Sequence, residues 1–297
     1  MKNTGKLAPW LRRPIGSGAA YTHTHLTLNN LGMETICTNA HCPNRGECWS
    51  RGTATVLILG NICTRNCRFC SVGHGKPKPP APDEPDRVAQ MATQMGIKYL
   101  VITSVDRDDL ADAGASHFRD VICRCRREIP DIRFELLVPD FKGCQDNALD
   151  VLADALPFVF GHNVETVPSL YSRARPGGNY QLSLDLLQKA KKRYGTTQTK
   201  SSIMLGLGET DEQVLSVMRD LCRVGCDRIA IGQYLRPSKE SLEVVEFIEP
   251  EKFDWWADQA KQLGFSWVMA SPFTRSSFHA EKEHTHGSAR AIPESDF

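Results

Sequence analysis

"TATVLILGNICTRNCRFC", residues 53–70, joins an apolar run to three closely spaced cysteines. The run over 53–60 reads as a strand. Cys63, Cys67 and Cys70 follow it directly in a CxxxCxxC spacing. In parallel β/α folds, function gathers at the C-terminal ends of the strands. This loop therefore stands where a site is expected, provided the rest of the chain continues as strand and helix in alternation.

It does. Strands are expected over 53–60, 98–105, 133–139, 157–165, 200–208, 226–235 and 265–271. Helices are expected over 84–96, 115–129, 147–155, 183–195, 210–225 and 249–264. Gly96 and Gly195 mark helix ends, and Thr210 with Gln213 forms a capping-box pattern. Alternation of this kind gives a parallel sheet with right-handed crossovers. The fold class is α/β, a full or partial (β/α) barrel of about six parallel strands. Periodicity alone leaves an open doubly wound sheet as an alternative, weakened by the lack of a glycine-rich dinucleotide fingerprint after the first strand. Residues 1–52 form an N-terminal extension, 53–272 the barrel core, and 273–297 a C-terminal segment. Polar residues close the strands: Thr103, Ser104, Asp106, Arg107 and Asp108, then Asp140, Asn163 and Glu165, Glu209, and Gln233 with Tyr234. All are expected to face one cavity.

With 36 basic and 35 acidic residues the formal net charge is +1, which gives no electrostatic ground for a nucleic-acid or membrane partner. Mean hydropathy is −0.34, and no apolar run is long enough to cross a bilayer. The N-terminus lacks the apolar stretch of a signal peptide, and Pro9 and Pro14 interrupt an amphipathic presequence, so a cytoplasmic location is expected. Eleven cysteines, an odd number with no secretion signal, argue against a disulfide framework. Reduced thiols are soft ligands suited to zinc or iron–sulfur iron.

A second group of three, Cys37, Cys42 and Cys48, lies upstream in "CTNAHCPNRGEC" (37–48). Clusters and structural zinc sites usually want four protein ligands, so each triad is one short. Three thiolates spaced as in 63–70 can each bind one iron of a cube and leave the fourth iron open to an outside ligand. The alternative is a zinc site, with His74 as the fourth ligand.

The loop 63–70, with Phe69 before its last cysteine, resembles the radical S-adenosylmethionine superfamily. The upstream triad resembles the lipoyl synthase signature. So do "TSVDRDDL" (103–110), "HNVETV" (162–167), "RARPGGNY" (173–180), "KSSIMLGLGET" (200–210), "IGQYLRPS" (231–238) and "RSSFHA" (275–280). The resemblance runs from about Trp10 to Ala280. It implies two [4Fe–4S] clusters and S-adenosylmethionine as cofactors. Cys63, Cys67 and Cys70 would hold the cluster whose open iron chelates S-adenosylmethionine. Cys37, Cys42 and Cys48 would hold an auxiliary cluster whose fourth ligand is Ser277. The family usually reads Arg-Ser-Ser-Tyr, whereas Phe278 stands here in the tyrosine's place. Taken alone, "RSSF" would read as a helix cap or loop.

By the same resemblance, the enzyme is a sulfurtransferase. A 5′-deoxyadenosyl radical removes hydrogen from C6 and then C8 of a protein-bound octanoyl-lysine chain, and the auxiliary cluster donates the sulfur. Thr103 and Ser104 match the segment that meets the methionine amino group, Asn163 and Glu165 the ribose, and Arg175 the carboxylate. Expected partners are an octanoylated lipoyl carrier domain or glycine-cleavage H protein, an electron donor such as ferredoxin or flavodoxin, and an iron–sulfur carrier for cluster repair. Rival readings are another two-cluster sulfur-inserting radical enzyme, or a non-catalytic iron–sulfur or zinc protein. Cys123, Cys125, Cys144, Cys222 and Cys226 read as small apolar residues. His279, His284 and His286 read as solvated tail residues, Trp255 and Trp256 as packing, and 189–195 as a solvated helix end.

Overall fold

The structure, a computed structural model, describes residues 7–13 and 15–282. Its main sheet has seven parallel strands: β1 (Thr55–Ile58), β4 (Tyr99–Ser104), β5 (Arg133–Leu137), β6 (Val159–Gly161), β7 (Thr199–Leu205), β8 (Arg228–Gln233) and β9 (Trp267–Ser271), paired in that order. A small parallel pair, β2 (Ile62–Cys63) with β3 (Gly73–His74), flanks the first cysteine of the 63–70 loop. All seven expected strands join the sheet, 265–271 as β9. The fourth strand is much shorter than 157–165. Beyond Gly161 the chain leaves the ladder, and only a bridge between Glu165 and Ile203 continues it. Glu165 there adopts φ +68°.

Helices α4 (Glu84–Gln94), α5 (Ala115–Glu128), α6 (Gln145–Ala153), α8 (Tyr180–Tyr194), α9 (Asp211–Arg223) and α10 (Pro250–Leu263) form the crossovers. The capping box of α9 is present, with Gln213 N donating to Thr210 Oγ1 at 3.3 Å and Thr210 N to Gln213 Oε1 at 2.9 Å. Strands of a parallel sheet covered by helices are buried on both faces. Accordingly Val56, Ile58, Leu100, Ile102, Leu136, Ile203 and Ile231 are all fully buried. The helix end 189–195 is not simply solvated. Lys189 pairs with Asp146 at 2.8 Å, Lys191 with Asp227 at 2.7 Å, and Arg193 with Asp150. Trp256 packs in the core, while Trp255 lies at the surface beneath Lys252.

Among the described residues β1 and β9 do not pair, so the barrel is open on that side. Residues 34–35 and 272–282 lie at the opening. The N-terminal part contributes α1 (Ala19–Asn30), α2 (Ile36–Asn39) and α3 (Arg45–Ser50). Glu34 O accepts from Leu57 N at 2.9 Å, and Thr35 bridges Val56 in antiparallel fashion, which covers the free edge of β1. Residues 272–282 return from β9 across the same opening.

Candidate functional site

The 63–70 loop wraps back against the end of β4. Cys63 Sγ lies 3.7 Å from Asp106 Oδ2, and it accepts backbone N–H bonds from Arg65 at 3.4 Å and Asp106 at 3.3 Å. Cys70 Sγ accepts from Val72 N at 3.4 Å. Burial pushes the Cys63 thiol up to about 11 and the Cys67 thiol up to about 12, and it raises Cys70 too. Without a cation these thiols stay protonated; a bound metal centre replaces the protons. Backbone amides aimed at sulfur are the contacts that tune a cluster.

The loop is anchored by a residue inside it. The Arg65 guanidinium donates to Asp108 at 2.6 and 2.8 Å and to Asp140 at 2.6 and 2.7 Å, and lies 3.5 Å from Asp106. Bidentate pairing of this kind fixes orientation as well as charge. Asp140 is held below the usual carboxylate range by Arg65 despite its burial. Asp108 and Asp140 therefore hold Arg65 rather than face the cavity.

The three cysteines line a cavity of about 420 Å³. Thr103, Ser104, Asp106, Asn163, Glu165, Arg175, Gln233 and Tyr234 line it with them. Arg107 and Glu209 do not. Arg107 turns away to Asp109 and Leu59 O, and Glu209 accepts from Gly206 N and Leu207 N. Thr103 spends its hydroxyl on Leu137 O at 2.9 Å, and Gln233 braces the backbone of Leu205, Glu246 and Ile248. Ser104 Oγ and Asp106 Oδ1, in contrast, are buried without a hydrogen bond, although Asp106 Oδ1 has the Arg65 guanidinium at 3.5 Å. Buried polar atoms are normally satisfied, so Ser104 Oγ marks a place for a polar ligand. Asn163 Nδ2 donates to Glu165 Oε1 at 3.2 Å, and Arg175 donates to Asn163 O and Ser183 Oγ, both at 3.3 Å. Burial raises the Glu165 carboxyl, with Arg175 opposing.

A second cavity, of about 400 Å³, is lined by Cys37, Cys42, Cys48 and Ser277. Burial pushes Cys37 to about 11 and Cys48 to about 12, each raised further by the neighbouring thiols of its triad. Ile36, Cys42, Thr55, Arg275 and Ser277 line both cavities and so form the wall between them. The segment bearing Ser277 lies directly on β8: a Cβ at Gly232 would stand 2.0 Å from Thr274 O. Arg275 donates to Thr274 O at 2.7 Å.

His279 is not a solvated tail residue. Its Nε2 lies 3.2 Å from Glu47 Oε1, and Arg51 donates to its Nδ1. His284 and His286 lie outside the described residues. Phe278 is buried at the edge of the second cavity. Cys125 and Cys226 are buried, while Cys123, Cys144 and Cys222 are partly so. Cys222 and Cys226 donate to Leu263 O and Arg228 O. Among the described residues no three His, Cys, Asp or Glu converge to hold a single metal ion. His74 is exposed on β3.

Residues 57–221 match the Radical SAM superfamily. The lipoyl synthase of Proteus mirabilis (strain HI4320) is 50% identical over 250 residues, covering 84% of this chain and 78% of that protein. That of Thioalkalivibrio sulfidiphilus (strain HL-EbGR7) is 48% identical over 285 residues, covering 96% and 88%. The chain belongs to the lipoyl synthase family. Streptococcus suis SuiB bound to S-adenosylmethionine shares the fold at TM-score 0.56 and 12% identity, over 72% of this chain and 49% of that one. Methylornithine synthase (PylB) does so at TM-score 0.53 and 12% identity, over 76% of both. As a radical SAM lipoyl synthase family member, the chain is an enzyme that uses S-adenosylmethionine and [4Fe–4S] clusters. The residues present fit such groups. Two sets of three cysteines, Cys37 buried and the other five partly so, line adjoining cavities, and Ser104 supplies an unpartnered polar atom to one of them.

The sequence reading missed Arg65, His162, Asn44 and Arg275. A charged residue inside a cysteine loop is a signal for Arg65, and its place in "RSSF" is one for Arg275. The partners of Asn44 and His162 are set by tertiary packing and leave no local mark.

Proposed function

We propose that this chain inserts two sulfur atoms, at C6 and C8, into an octanoyl chain held on a lysine of another protein. The observation that carries the reading is the wall common to both cavities, formed by Ile36, Cys42, Thr55, Arg275 and Ser277. An aliphatic carbon has no proton a general base can remove. When bound, the cofactors supply a carbon-centred radical able to abstract that hydrogen and sulfide to replace it. The chain's own residues provide position and enclosure. Cys63, Cys67 and Cys70 hold one cluster. Ser104, beside Thr103, receives the methionine amino group of S-adenosylmethionine, Arg175 its carboxylate, and Asn163 with Glu165 its ribose. Cys37, Cys42, Cys48 and Ser277 hold the second cluster. A serine oxygen is a harder donor than thiolate and suits a bond that must be given up.

The substrate chain must reach both cavities, and Ile36 offers it an apolar contact at their junction. An apolar contact there also helps keep water from the reacting carbons. The protein partners in this reading are an octanoylated lipoyl carrier domain or glycine-cleavage H protein, a ferredoxin or flavodoxin as reductant, and an iron–sulfur carrier that restores the consumed cluster, all in the cytoplasm. The test is an anaerobic reaction of reconstituted protein with S-adenosylmethionine, a strong reductant and an octanoyl-lysine peptide, followed by mass spectrometry. A dithiol peptide together with 5′-deoxyadenosine is expected. 5′-Deoxyadenosine with no sulfur in the peptide would refute the insertion reading while leaving the radical site in place.

A further inference from the structure

Ser277 sits in a stretch, 272–282, that forms turns but no helix or strand. Local backbone bonds, such as Phe278 N to Arg275 O at 3.0 Å, tie its turns, and β8 and β9 meet its ends through Gln233 N to Pro272 O at 3.3 Å and Trp267 Nε1 to Lys282 O at 2.9 Å. Around Ser277, further contacts come from the N-terminal part of the chain. Before Ser277, Asn44 Nδ2 donates to Phe273 O at 2.7 Å, and the Arg13 guanidinium stacks 4.1 Å from the centre of the Phe273 ring. After Ser277, Glu47 Oε1 lies 3.2 Å from His279 Nε2, and Arg51 donates to His279 Nδ1 at 2.5 Å and to Glu281 Oε1 at 2.8 Å. Arg13 closes the circuit by pairing with Glu47.

Arg51 also lies 3.3 Å from His279 Nε2, and Glu281 Oε1 lies 3.5 Å from Nδ1. The imidazole is thus held on both nitrogens between Arg51 and the carboxylates of Glu47 and Glu281. Glu47 and Arg51 flank Cys48 on α3 and at its C-terminal cap. The short helix that presents Cys48 to the second cavity therefore also grips the segment that presents Ser277 to it. The side chains involved are partly exposed: Arg51 41%, Glu281 35%, Glu47 33%, against 14% for His279. Ion pairs at such positions are individually weak. Together they hold a segment without locking it.

We infer that Glu47 and Arg51, acting through His279 and Glu281, are positioning residues for Ser277. They register its hydroxyl against Cys48, and the strength of this latch sets how readily the serine leaves its cavity. The inference rests on the reading of Ser277 as a cluster ligand.

The test uses the full chain and its Arg51→Ala, Arg51→Lys and Ser277→Ala variants. Hydrogen–deuterium exchange of 273–282 in the cluster-free protein reads the latch itself. The rate at which a ferrous chelator strips iron from the reconstituted protein reads Ser277. The phase owed to Cys37, Cys42 and Cys48 is identified with a variant lacking Cys63, Cys67 and Cys70. In Arg51→Ala, exchange over 273–282 is expected to rise about five- to tenfold, and iron loss from Cys37, Cys42 and Cys48 to quicken in step. Arg51→Lys, which reaches one partner but not two, should fall between. Unchanged exchange in Arg51→Ala overturns the latch. Faster exchange with unchanged iron loss, while Ser277→Ala accelerates that loss, overturns its link to the serine. Unchanged iron loss in Ser277→Ala overturns the ligand reading instead, and is told apart because exchange in Arg51→Ala still rises.

Discussion

Asn44 donates from Nδ2 to the carbonyl of Phe273 at 2.7 Å, joining residues 229 positions apart in the chain. Asn44 lies between Cys42 and Cys48, and Phe273 opens the segment that ends in Ser277 and His279. The bond is buried, so removing its donor leaves a carbonyl with nothing to replace it. Asn44→Leu is expected to cost about 1–3 kcal/mol, measured by urea unfolding of the cluster-free protein. It should also lower the iron retained by Cys37, Cys42 and Cys48 after gel filtration. A variant with unchanged stability and iron content would show that the segment is held elsewhere.

Gly232 fixes the other side of the same segment. Any Cβ there meets Thr274 O at 2.0 Å and Arg275 Nη1 at 3.3 Å. Backbone cannot give way as a flexible side chain can, so Gly232→Ala should push 274–277 off β8 at a cost of about 1–3 kcal/mol. The expected product pattern is 5′-deoxyadenosine without sulfur in the peptide. Normal sulfur insertion by Gly232→Ala would mean that Ser277 does not need this placement.

The two triads should separate by their failures. Cys67→Ala removes one of the three thiols that line the first cavity. It is expected to abolish S-adenosylmethionine cleavage and with it every product. Ser277→Ala leaves that loop intact and should keep cleavage while lowering sulfur insertion about a hundredfold or more. Mass spectrometry of nucleoside and peptide from the same reaction reads both. Loss of cleavage in Ser277→Ala would argue that the serine supports the first cavity instead.

The alternation of buried strands and amphipathic helices was legible because a parallel sheet demands continuous apolar runs, and β4, β7 and β8 fall within one or two residues of the expected bounds at their N-terminal ends. The expected strand over 157–165 runs past the observed β6, because Val164 continues the apolar pattern after the backbone has left the ladder. The spacing of Cys63, Cys67 and Cys70 marks them as candidate metal or cluster ligands and leaves zinc open beside a cluster. Ser277 could be singled out only through resemblance, since nothing in "RSSF" announces that its segment will return to Cys48. The strand-end rule overreached for Arg107 and Glu209. Position after a strand brings a backbone to the rim, but local pairing with Asp109 or with Gly206 N turns the side chain away. His279 was misread for the opposite reason. Its partners, Glu47 and Arg51, lie more than two hundred residues upstream, and a local reading sees only a polar residue near the chain's end.

His162 gives the structure a pH signature independent of any cofactor. It is buried in the wall of the first cavity, its Nδ1 2.9 Å from Val138 O and its Nε2 3.0 Å from Ser183 Oγ. The carbonyl only accepts, so Nδ1 carries the proton. Burial, reinforced by Arg175 and Arg65 and opposed by Asp140, holds the imidazole down at about 4. An unfolded histidine takes up its proton near 6.5. Between these values the unfolded chain binds a proton that the folded chain refuses. This contribution to stability is therefore complete above about 6.5 and is lost as pH falls towards 4, at about 1.4 kcal/mol per pH unit. Urea unfolding of the cluster-free protein at about pH 7 and about pH 5 should show that loss, and His162→Gln should show about 2 kcal/mol less of it over the same interval. Equal losses in both proteins would place a proton on folded His162, and would remove the neutral imidazole from the wall beside Arg175.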